Sequence, residues 1–191
     1  MKQILLATTN NGKVKDVKEI LKDVDIEILS FLDFENHPEV EETGSTFLEN
    51  AELKARAAFD IYKIPAIGDD SGLEAFQLNG EPGIFSARYA GEDATDEKNN
   101  LKLIAKLNQH PEPHEGRFVC AAVYYDGIKI ISAFGEVRGK IIKQPRGKNG
   151  FGYDPLFIPD GYDKTMAELP HEEKNKISHR LKAFEKMKEL I

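Results

Sequence analysis

The sequence predicts an α/β fold with a central mixed β-sheet, flanking helices and two lobes around a cleft. Three observations carry that expectation. The chain opens with a strand–helix–strand pattern, a long hairpin lies in its second half, and no repeat or linker divides it. Its 191 residues are most simply one domain, 1–191, large enough to bury a real core.

The elements follow in order. Residues 4–7 form a short apolar run that reads as a buried strand. A polar loop then leads into an amphipathic helix with Val14, Val17, Ile20 and Leu21 on one side. Residues 26–29 return as a second strand. Thr46 and Glu49 have capping-box spacing and open a helix that runs to about Tyr62. Pro65 begins a strand expected to end at Asp69-Asp70 and turn on Gly72. Residues 96–107 read as a helix with Leu101, Ile104, Ala105 and Leu107 as its apolar members. The runs 118–125 and 129–134 are strands joined at Asp126-Gly127, a hairpin signal, and residues 136–142 extend the second arm. Residues 144–154 form a Gly-rich loop and 156–158 a short strand. One helix over 172–191, with Ile177, Leu181 and Phe184 on one face, closes the chain.

Composition bounds the function. The chain is 40% hydrophobic and 31% charged, ordinary for a globular protein. Its 26 Lys and Arg stand against 33 Asp and Glu, a net charge of −7. That argues against a general nucleic-acid binder, which must neutralise many phosphates, but not against one small polyphosphate. The lone Cys120 lies in an apolar run and reads as a buried, inert thiol compatible with a reducing compartment. The apolar part of the N-terminus is too short for a signal peptide or a membrane span, so no membrane partner and a cytoplasmic location are expected.

Several segments carry chemistry, each with a plainer alternative. Asp69-Asp70-Ser71-Gly72 offers carboxylate oxygens of the kind Mg²⁺ takes together with phosphates, or is an ordinary polar turn. Residues 8–13 (Thr8, Thr9, Asn10, Asn11, Gly12, Lys13) place backbone N–H groups, a helix start and a lysine at one point. That is a phosphate site in outline, or a capped helix with a solvated lysine. One of the acids Glu41 and Glu42 could complete a metal site with Asp70. Asn50 and Lys54, four apart, share a helix face, from which Lys54 reaches phosphate or pairs with an acid. Phe151, Gly152, Tyr153 and Asp154 end a flexible loop in aromatics and an acid, suited to a base or to core packing. Lys174, His179 and Arg180 are donors on the last helix, or an exposed basic end.

Taken together, these segments resemble one family. The chain is similar over its full length to the inosine triphosphate pyrophosphatase (Ham1-like) family. The resemblance rests on ATTNNGK at 7–13, EETGSTFLENAELKAR at 41–56, IGDDSGLEA at 67–75, GEPGIFSARYAGEDATDEKN at 80–99, GFGYDPLF at 150–157 and EEKNKISHR at 172–180. Thr9 stands where many members carry glycine. The resemblance implies an ITPase-like/Maf-like α/β subunit with a nucleotide in its cleft, a homodimer, and Mg²⁺-dependent hydrolysis of ITP, dITP and XTP to the monophosphate and pyrophosphate. It further implies that residues 8–13 and Lys54 bind the triphosphate, that Glu41 and Asp70 hold Mg²⁺, and that Asp70 is the proton acceptor. Ser71 would contact substrate, and Phe151, Gly152, Tyr153, Asp154, Lys174, His179 and Arg180 would bind the nucleoside, Phe151 stacking on the base. A donor such as Arg180 would favour the purine 6-oxo group over the adenine 6-amino group. A Maf-like pyrophosphatase and a binding module without turnover are the rival readings.

Overall fold

A computed structural model describes residues 2–191. Six strands form one mixed sheet: β1 (Lys2–Leu6), β2 (Ile26–Ser30), β3 (Ala66–Ala75), β4 (His114–Tyr125), β5 (Ile130–Ile141) and β6 (Phe157–Pro159), in the order β2-β1-β3-β4-β5-β6. β1 runs parallel to β2, with Leu5 opposite Leu29, and parallel to β3, with Leu5 opposite Ala66. β5 and β6 are antiparallel, with Gly139 opposite Pro159. Among the described residues five α-helices accompany the sheet: α1 (Asn11–Ile20), α2 (Phe47–Tyr62), α3 (Asp96–Leu107), α4 (His171–Ile177) and α5 (His179–Lys188).

Local chemistry sets these elements. Asn10, Thr46 and Thr95 cap α1, α2 and α3, each side-chain oxygen accepting from the N–H three residues on, as N-caps do. At the β4–β5 turn Asp126 Oδ1 accepts from the N–H groups of Ile128 and Lys129 at 3.0 and 2.7 Å, while Gly127 takes φ +93°.

The chain forms two compact units. The first comprises residues 2–70, 120–135 and 180–191, the second residues 71–119 and 136–179. In the first, Ile4, Leu6, Val17 and Ile67 pack with Cys120, Ala122, Phe184 and Met187. In the second, Leu73, Leu103, Leu107 and Phe118 pack with Leu156, Phe157, Met166 and Leu169. Two expectations are corrected. β3 does not end at the paired acids; it runs on to Ala75, because Leu73 and Ala75 are core residues that keep the strand buried. The C-terminal segment is not one helix. It breaks at Ser178, whose extended backbone (φ −67°, ψ 151°) ends α4 and lets α5 restart at His179.

Candidate active site

In the first unit the site begins where β1 ends. The backbone turns, with the Thr8 N–H donating to the Leu6 carbonyl at 2.8 Å and the Asn10 N–H to Thr8 Oγ1 at 3.2 Å. The Asn10 carboxamide oxygen then caps α1 by accepting from the Lys13 N–H at 3.1 Å. The N–H groups of Asn11 and Gly12 fall in the first turn, where a helix supplies no carbonyl partner and an anion is favoured.

β3 carries the two acids. Successive strand residues point to opposite faces, so Asp69 and Asp70 enter different surroundings. Asp69, 1% exposed, lies 2.9 Å from Lys13 Nζ and 3.5 Å from Arg180 Nε. Arg180, 2% exposed, is also held by Asp16 Oδ2 at 2.9 Å. Asp70 instead faces α2. The Asn50 amide donates to its Oδ2 at 3.1 Å, and Lys54 Nζ lies 3.1 Å from its Oδ1 and 2.7 Å from Glu42. The Gly44 N–H donates to Asn50 Oδ1 at 2.8 Å, which leaves the amide nitrogen as the donor toward Asp70.

Gly68 makes that approach possible. A Cβ there would sit 2.1 Å from the Ala51 carbonyl oxygen and 2.7 Å from the Ala55 nitrogen, so only glycine lets β3 lie this close to α2.

The two carboxylates therefore differ in basicity. Burial alone would raise Asp69, but Lys13, Arg180 and Lys54 outweigh it and hold its carboxyl at about 2. Burial raises Asp70 above the usual aspartate value; Lys54 opposes that rise, and Glu42 adds to it. Lys54 itself is raised: burial works against its charge, and Asp70, Asp69 and Glu42 more than compensate. Adjacent acids driven apart in this way mark one as a fixed anion and the other as the more basic group.

In the second unit the aromatic loop folds on itself. The Phe151 N–H donates to Asp154 Oδ2 at 2.9 Å, and the buried Lys174 ammonium contacts the same oxygen. Lys174 Nζ lies 4.8 Å from the Phe151 ring centroid. Gly150, at φ +78°, passes so close that a Cβ would be 2.0 Å from Asp154 Oδ2. Tyr153 is buried and donates its hydroxyl to the Ser86 carbonyl at 2.8 Å. The His179 ring stacks on Phe118, with centroids 5.0 Å apart.

The profile of the Ham1 family matches residues 4–190. The chain belongs to the Ham1 family. It is 49% identical over 193 residues to a dITP/XTP pyrophosphatase of Aquifex aeolicus, covering 97% of this chain and 94% of that protein. To one of Bacillus subtilis it is 46% identical, covering 100% and 98%. Among solved structures, a HAM1 protein from Coxiella burnetii superposes with a TM-score of 0.91 at 40% identity, covering 100% of this chain and 98% of the other. The Staphylococcus aureus Ham1 protein superposes at 0.88 with 44% identity, covering 99% and 97%.

In this Ham1-family chain, Lys13 pairs with Asp69 and Lys54 with the adjacent Asp70, all in the first unit. Glu41 is exposed; of the two neighbouring acids it is Glu42 that reaches Lys54. Phe151, Asp154 and Lys174 meet in the second unit, whereas Ser71 is half-buried there. Arg180 is no exposed basic helix end; it is buried against two carboxylates. Asp16 escapes sequence reasoning because its partner is 164 residues away. Its one signal is an acid a single helical turn after Lys13.

Proposed function

We propose that this chain hydrolyses deaminated purine nucleoside triphosphates (ITP, dITP and XTP) to the monophosphate and pyrophosphate, with Mg²⁺ as its cofactor. Full-length similarity to dITP/XTP pyrophosphatases supports the substrate class. One observation carries the mechanism: Asp69 is locked between Lys13 and Arg180, while its neighbour Asp70 turns to Asn50 and Lys54 of α2.

The first unit's residues take the phosphates. The N–H groups opening α1, with Thr8, Thr9 and Asn10 beside them, bind phosphate oxygens, and Lys13 and Lys54 supply positive charge. Asp16, Glu42, Asp69 and Asp70 against Lys13, Lys54 and Arg180 make four carboxylates and three cations, an excess of one negative charge. Carboxylate oxygens with a net negative charge fit Mg²⁺. Among the described residues no three His, Cys, Asp or Glu side chains are grouped as a metal cage. Mg²⁺ keeps several waters and is held by one or two carboxylates together with substrate phosphates. Asp70, with a carboxylate from Glu41 or Glu42, would hold it. When bound, Mg²⁺ supplies charge neutralisation on the phosphates. Asp70 orients the attacking water and accepts its proton, and Lys13 offsets charge on the departing pyrophosphate.

The second unit's residues take the nucleoside. Phe151 stacks on the base, Gly152, Tyr153 and Asp154 shape the loop around it, and Ser71 and His179 contact substrate. Lys174, beside Phe151, donates to the purine 6-oxo group, and an adenine amino group would meet a second donor there. Arg180 contributes from its buried position by fixing Asp69, and through it Lys13. The enzyme works as a homodimer in the cytoplasm on this reading, and no helix is long and apolar enough to cross a membrane among the described residues.

The test is Asp70→Asn. Turnover of ITP is expected to fall about 10²–10⁴-fold, the range for removing a general base, with the circular dichroism spectrum unchanged. A variant with normal turnover contradicts the assignment.

A further inference from the structure

We propose that Asp96 and Asn100 of α3 are positioning residues for base recognition, holding the Gly152 peptide groups so that Phe151 presents its ring to the purine. The proposal deepens, and rests on, the reading that residues 151–154 take the nucleoside.

Gly152 adopts φ +61° with open space where a Cβ would be, so its conformation is not enforced by crowding. It is enforced from outside the loop. The Gly152 N–H donates to Asp96 Oδ2 at 2.6 Å, and the Gly152 carbonyl accepts from Asn100 Nδ2 at 3.0 Å. Asp96 and Asn100 are four apart on α3 and so share a face. Both polar groups of one glycine are thereby fixed by one rigid element.

The neighbouring contacts extend the same support. Asn99 accepts from the Ala90 N–H at 2.7 Å and donates to the Ala87 carbonyl at 3.1 Å. That anchors the segment whose Ser86 carbonyl receives the Tyr153 hydroxyl. The Ser86 hydroxyl donates to the Gly83 carbonyl at 2.6 Å and accepts from the Leu73 N–H at 3.0 Å. Tyr153 is thus fixed on one side of Gly152, and Phe151 is tied to Asp154 on the other. Asparagine is a poor helix former, and a buried amide is costly without partners. Two consecutive buried asparagines in α3 have no packing rationale; Asn99 bonds the 87–90 segment through both ends of its amide, and Asn100 bonds the Gly152 carbonyl through its Nδ2.

Asp96 and Asn100 act on the base end alone, so their loss should change KM rather than turnover. Asp96→Ala and Asn100→Ala are each expected to raise KM for ITP about tenfold, equivalent to about 1.4 kcal/mol, with kcat kept within about twofold. Asp96→Asn, which retains an acceptor for the Gly152 N–H, should restore most of the loss. Glu97→Ala, which removes a like charge from the same helical turn, should leave KM unchanged. Ribose 5-triphosphate, which lacks the purine, should be hydrolysed equally by all four variants and the parent. Equal losses on ITP and ribose 5-triphosphate, or an unchanged KM in both alanine variants, overturn the proposal. Phe151→Ala separates the two levels. If it raises KM while the α3 variants do not, the positioning role alone fails. If it does not, the nucleoside reading fails and the positioning role falls with it.

Discussion

Asp69 and Asp70 are chemically identical neighbours with opposite fates, and the alternation of a strand is the cause. From the sequence the pair looks like one ligand set at a sheet rim. The structure spends Asp69 on Lys13 and Arg180 and leaves Asp70 toward α2. What separates them is a partner at position 180, invisible to any local pattern. Because Asp69 sits near 2 in the folded chain against 3.8 for an ordinary aspartate, its ion pairs stabilise the fold fully above the ordinary value. That contribution is lost as pH falls through about 2, and amounts to roughly 2 kcal/mol. Urea unfolding between pH 5 and pH 2 should show this increment. Asp69→Asn should lack it, and an identical acid dependence in that variant would contradict the assignment.

At the scale of elements, spacing made most of the fold legible. The cap at Thr46, the apolar face of α1 and the Asp126-Gly127 hairpin are all local signals, and each appears where expected. Asn50 and Lys54 share a face as their spacing requires, and both reach Asp70. Two features were not legible because tertiary packing decides them. β3 passes its acids because Leu73 and Ala75 belong to a core built from distant segments. The last helix breaks at Ser178 because His179 stacks on Phe118 while Arg180 turns to Asp16 and Asp69. Gly68 couples α2 to β3 by close approach alone. Gly68→Ala should cost about 3 kcal/mol, at the upper end for overpacking, and lower activity by displacing Asp70 from Asn50 and Lys54. A thermal midpoint and turnover equal to the parent would show that this contact is not required.

For the whole molecule, a net charge of −7 on a chain proposed to bind triphosphates raises an evident objection. The arrangement of charge answers it: Lys13, Lys54 and Arg180 are gathered among buried carboxylates rather than spread over the surface. Six ordered sequence segments already pointed to the family, and the match over residues 4–190 agrees. The roles of individual donors were less legible, since Arg180 and Glu42 depend on who stands opposite them. The central claim is cleavage of deaminated purine triphosphates between the α- and β-phosphates. Pyrophosphate release from ITP, XTP, GTP and ATP, each with Mg²⁺ and with chelator, tests it most directly. The account predicts Mg²⁺-dependent pyrophosphate from ITP and XTP with little from ATP or GTP. Orthophosphate as the product, or binding of ITP without release, would contradict it.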